Sequence, residues 1–185
     1  MGENVLTYEL RIWDPSRHSP LPTSAGEALD LMERLTATSD TRNSTLEQFG
    51  AALAQCYEDG LTDSREPGGL EAFWGSDPRA TTAACRTAVY QLSSPFEEPT
   101  RQLCAAVHAA AGHGLVVFDD ENGMCFLPDG TVFPEDSREM WESTVADLKA
   151  GPPDPTKEVP DGRTLLERIA GELFDAIGRE NKRLS

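Results

Sequence analysis

Basic residues are scarce in this chain. Its 185 residues hold 16 lysines and arginines against 32 aspartates and glutamates, a formal net charge of −16. A surface this negative repels phosphate, which argues against nucleic acid and anionic membrane as partners. Long apolar runs are missing too, so no segment is expected to span a bilayer. The opening MGENVLTYELRIWD has no basic stretch followed by an apolar one, so no secretory signal is expected. Thr7 stands one place too late for Gly2 to be a myristoylation site. Cysteines are few (Cys56, Cys85, Cys104 and Cys125), and no two have Cys-x-x-Cys spacing. The expectation is a cytoplasmic protein with reduced thiols that serve mostly as small core hydrophobes.

Motifs of catalysis are missing as well. There is no phosphate-binding Gly-rich loop, no dinucleotide fingerprint, no nucleophile elbow and no His-Glu-x-x-His. The histidines are His18, His108 and His113. Cys104 and His108 are four apart on an expected helix and share a face, but zinc needs two further ligands that no nearby residues offer. Asp119-Asp120-Glu121 invites comparison with a calcium loop. Gly123, however, falls at the fifth place rather than the sixth, and no glutamate closes the twelfth. No catalytic residue, cofactor or metal is assigned.

What the chain does contain is a clear alternation of elements. Residues 5–13 read as a strand, with Tyr8, Leu10 and Ile12 on one face and Glu9, Arg11 and Trp13 on the other. A Pro-rich loop leads to a helix over 24–36, opened by a Ser24–Glu27 capping box and striped by Ala28, Leu31, Met32 and Leu35. Ser44 and Glu47 open a second helix in the same way, with Leu46, Phe49, Leu53 and Tyr57 as its stripe. Residues 61–80 read as a long connection carrying Phe73-Trp74, and residues 84–92 as a second strand. Ser94-Pro95-Phe96-Glu97 looks like a helix start. Then a meander of three short strands is expected over 115–118, 124–127 and 131–133, turning at Asn122-Gly123 and Pro128-Asp129-Gly130. A helix over 136–150 follows, then a Pro-rich linker over 151–162 and a C-terminal amphipathic helix over 163–185, expected to pack on the core or to serve as a partner-facing arm. The fold class expected is α+β, a small and mostly antiparallel sheet with about five helices mainly on one face.

Charge is the positive functional signal. Acids gather at Glu58, Asp59 and Asp63, at Asp119, Asp120 and Glu121, and at Asp129, Glu135, Asp136, Glu139 and Glu142. The last two groups straddle one meander and should meet in space. A solvated face is the bland reading of such runs, and a docking surface for a basic protein is the sharper one. On the sharper reading the partner-binding residues are Asp119, Asp120, Glu121, Glu135 and Asp136, with Phe73 or Trp74 as the aromatic anchor. The bland reading of Phe73 and Trp74 is that they plug the edge of the core.

Two stretches carry a resemblance. One is Tyr8-Glu9-Leu10-Arg11-Ile12-Trp13-Asp14, followed by the Pro-rich loop and an acidic amphipathic helix. The other is Gly112-His113-Gly114-Leu115-Val116-Val117-Phe118-Asp119. Together, over residues 5–120, they resemble a loose family of small bacterial immunity proteins found beside the toxins of polymorphic toxin and type VI secretion systems. The resemblance implies no enzymatic activity and one tight partner, a cognate toxin or effector. Two alternatives stand beside it. One is an enzyme or small-ligand-binding domain, which a pocket lined by His108, His113 and a carboxylate would favour. The other is an adaptor or chaperone for a secreted effector.

Overall fold

A computed structural model of the protein describes residues 7–18, 20–58, 69–95 and 99–150. The expected linker and C-terminal helix lie outside the described residues, as do Asp59 and Asp63.

The strands are β1 (Thr7–Trp13), β2 (Val89–Pro95), β3 (Val116–Asp119), β4 (Met124–Phe126) and β5 (Val132–Phe133). They form one sheet in the order β2-β1-β3-β4-β5, and every neighbouring pair is antiparallel. The helices are α1 (Pro15–His18), α2 (Ala25–Thr36), α3 (Ser44–Glu58), α4 (Gly69–Trp74), α5 (Pro78–Ala84), α6 (Pro99–Gly112) and α7 (Ser137–Ala150). The architecture is α+β.

The period-2 alternation of strands sorts side chains between two cores. Tyr8, Leu10 and Ile12 of β1 join Val117 and Phe126 on one face, against Phe49 and Leu53 of α3, Trp74 of α4 and Ala106 of α6. Trp141 of α7 closes this side, its ring 4.6 Å from that of Phe126. Trp13, Val89, Val116, Phe118 and Cys125 point the other way, against the stripe Ala28, Leu31, Met32 and Leu35 of α2. Each fully buried side chain of this kind contributes about 1.5–3 kcal/mol. Among the described residues α2 is the helix packed on the second face, and Glu9, Arg11, Gln91 and Ser93 are not buried.

Close packing on the first face requires a glycine. A Cβ at Gly50 would overlap the Thr82 hydroxyl and sit 2.6 Å from the Pro78 carbonyl oxygen, so α3 and α5 touch backbone to backbone only because Gly50 lacks one.

Several local readings are corrected. Ser24 accepts the Glu27 N–H at 3.2 Å, but Glu27 Oε2 turns to the Thr23 N–H and hydroxyl, so the capping box is half formed. Asn43, not Ser44, caps α3, its Oδ1 accepting the Thr45 and Leu46 N–H groups, while Glu47 pairs with Arg42. The connection over 61–80 contains α4 and the start of α5, which Asp77 caps by accepting the Arg79 N–H. That helix occupies Ala84, so β2 starts at Val89. Ser94 and Pro95 end β2 opposite Tyr8 and Thr7, and α6 starts at Pro99. The cross-strand partner outbids the local helix signal there.

Candidate partner-binding site

Strand register decides which acids meet. Leu10 lies opposite Asp119, and the Asp120 N–H donates to the Glu9 carbonyl at 3.4 Å, so β1 begins where β3 ends. Cys125 lies opposite Phe133 in the antiparallel β4–β5 pair, so the end of β5 lies beside the start of β4. The β3–β4 turn and the β5–α7 loop therefore share one end of the sheet. Glu121, Glu135 and Asp136 are exposed there. Two cations nearby are already engaged. The Arg11 guanidinium lies 2.7 Å from Asp120 Oδ2 and 3.5 Å from Glu9 Oε2, and Arg138 pairs with Glu142 at 2.9 Å.

Asp119 is not part of this surface, contrary to the expectation that it is presented at the hairpin tip. It is fully buried. Its Oδ2 accepts the Tyr8 hydroxyl at 2.7 Å and the Asn122 amide at 2.7 Å, and its Oδ1 accepts the Glu121 and Asn122 N–H groups. These bonds fold the turn over the carboxylate. Burial raises the Asp119 carboxyl above the ordinary carboxylate range, against the lowering pull of Asn122, Tyr8 and the turn amides. Burial also raises the Tyr8 phenol, with Asp119 adding to the effect, so Tyr8 remains a donor.

Phe73 and Trp74, expected as candidate partner anchors, are likewise absent from the surface. They are 3% and 0% exposed. Their rings meet edge to face at 4.8 Å, and Tyr57 lies 5.6 Å from Phe73. Gln102, itself buried, donates to the Phe73 carbonyl at 2.7 Å and accepts the Ser94 hydroxyl at 3.0 Å, tying α4 to α6 and β2. Both rings are core, because α4 lays them between α3 and the sheet.

A different apolar feature lies beside the acids. A shallow groove of about 400 Å³ runs between the start of α2 and the β3–β4 turn, lined by Ala25, Gly26, Leu29, Phe118, Asp120 and Gly123. Leu29 is 42% exposed, although it stands next to the buried stripe of α2. The signal for it was present in the sequence: Leu29 is a leucine off the 28, 31, 32, 35 stripe.

The remaining polar clusters hold the fold. Burial pushes the Cys104 thiol up to about 12, and His108 one turn on is exposed, so this pair offers no thiolate at neutral pH. At the opposite end of β1, buried Asp14 accepts the Ser16 N–H and hydroxyl through Oδ1 and the Asn43 amide through Oδ2. His18 Nε2 and Arg17 Nη2 lie 2.7 and 2.9 Å from the two oxygens of Asp40. Burial alone would raise the Asp40 carboxyl. The His18 bond, the Thr41 N–H and the neighbouring charges outweigh it and hold the group below its ordinary value.

Among the described residues no helix is long and apolar enough to cross a membrane. Compared with known proteins, the chain matches no family model, no curated protein and no solved structure.

Proposed function

We propose that this chain is an immunity protein that binds and neutralises a basic, cytosol-acting bacterial toxin domain. The observation that carries the reading is the gathering of Glu121, Glu135 and Asp136, exposed, at one end of the sheet, in a chain of net charge −16. A carboxylate surface whose nearby arginines are already paired attracts cations from solution and speeds the approach of a basic protein. A toxin that acts on nucleic acid or nucleotides presents cations around its own site, and an acidic surface can cover them. The test is co-expression with the toxin domain encoded beside this gene. A soluble equimolar complex, faster association at low salt and rescue of cells from the toxin are expected. If no neighbouring toxin domain binds and none is neutralised, the proposal is wrong.

A further inference from the structure

Charge explains attraction but not a fixed docking position, and Phe73 and Trp74 are too deeply buried to supply an anchor. We infer that the groove between α2 and the β3–β4 turn seats a basic amphipathic segment of the partner protein, which inserts one leucine- or phenylalanine-sized side chain against Leu29 and Phe118. The inference rests on the proposed toxin-binding role and names the contact through which it works.

The lining supports an apolar occupant. Ala25, Gly26, Leu29, Phe118 and Gly123 contribute no charge, and Asp120 is the one ionisable group among the lining residues. Leu29 leaves much of an aliphatic side chain in water, a cost that docking recovers. Acids flank the apolar strip. Asp120 sits at its wall with its charge paired to Arg11, exposed Glu121 follows in the turn, and exposed Glu33 lies one helical turn beyond Leu29. Arg11 holds Asp120 in position through Oδ2. An apolar side chain flanked by lysine or arginine matches this sequence of features. A nucleic acid or an anionic lipid surface would meet the same carboxylates as repulsion. The groove is open to solvent and its volume of about 400 Å³ is ample for one inserted side chain.

Gly26 provides a way to block the groove without disturbing the fold. A Cβ at this position meets no atom within 4 Å. It lies in the first turn of α2, where replacing glycine favours the helix. Gly26→Phe should therefore fold and fill the groove, while Leu29→Ala removes the anchor. Leu21→Ala removes an exposed leucine that does not line the groove and serves as the control.

The probe is a short fluorescent peptide of leucines flanked by lysines and arginines, titrated into the full chain, with a serine-for-leucine peptide as its counterpart. Gly26→Phe and Leu29→Ala should each weaken the leucine peptide at least about fivefold, the scale of one lost apolar contact. The serine peptide should bind the wild type more weakly by a similar factor, and Leu21→Ala should change nothing. Thermal melts confirm that the variants fold. Equal binding of both peptides, or of wild type and both groove variants, overturns the inference. The cognate toxin domain separates the two proposals. A toxin that binds wild type, Gly26→Phe and Leu29→Ala equally leaves the immunity role standing and removes the groove. Peptide binding lost in both variants, with no toxin bound, keeps the groove and removes the immunity role.

Discussion

The two ends of β1 treat the same chemistry in opposite ways. At the Trp13 end, acids are consumed: Asp14 is buried against Ser16 and Asn43, and Asp40 is held by Arg17 and His18. At the Thr7 end Asp119 is consumed in the interior and Asp120 pairs with Arg11, while Glu121, Glu135 and Asp136 stand in solvent. An acidic side chain that accepts several hydrogen bonds fixes loops and is hidden from any partner. One that accepts none is available to steer an encounter. Net charge alone does not separate these uses, and two carboxylates two residues apart, Asp119 and Glu121, fall on opposite sides of the divide.

The sharpest way to break this contrast is to reverse charge on both sides of it. Asp119→Lys places an unpaired cation in the interior and strands the Tyr8 hydroxyl. The expected loss is roughly 4 kcal/mol or more, enough to unfold a domain of ordinary stability, read by denaturant titration. Asp14→Ala leaves the Asn43 amide and the Ser16 groups without their acceptor, at a cost of about 2 kcal/mol in the same measurement.

Acid titration sharpens the comparison, because the two ends should respond with opposite sign. The Asp119 carboxyl is raised in the folded state, so its ionisation opposes folding, and its contribution worsens as pH rises through the window above the ordinary carboxylate value. The Asp40 carboxyl is lowered, so its contribution is present above that ordinary value and lost as pH falls through the folded one. Asp40→Asn should destabilise at neutral pH and converge on wild type in acid. Asp119→Asn should compare more favourably with wild type at neutral pH than in acid. Stability curves of the same sign for both variants would contradict the assignment.

The smallest expected change in stability comes from the exposed set. Glu121→Lys, Glu135→Lys and Asp136→Lys together should shift stability by no more than about 0.5 kcal/mol each. Association with a basic partner at low salt should nevertheless slow about tenfold, with the difference fading above about 0.5 M salt. A reversal that includes Asp119 cannot make this measurement, because it tests folding instead.

The α+β class, the two-faced alternation of β1, the stripe of α2 and the tight turn at Asn122-Gly123 were legible in the sequence by itself. These are properties of neighbours along the chain, where periods of 2 and 3.6 and a Gly-containing turn act through local sterics. The acids expected to meet across the meander are instead split, with Asp129 in the β4–β5 turn at the other end of the sheet and Asp119 buried. Tertiary structure decided which acids are exposed, which aromatics are core and where an apolar side chain is left over. Asp119 is buried because Tyr8, 111 residues away, donates to it across the β1–β3 pairing. Ser94 and Pro95 belong to a strand because Tyr8 and Thr7 pair with them. Phe73 and Trp74 are core because α4 is pressed between α3, α6 and the sheet, and Leu29 is exposed because α2 covers only part of the second face. Each outcome depends on a partner distant in sequence, whose desolvation or hydrogen bond outweighs the local preference, and no window along the chain contains both halves of such a pair.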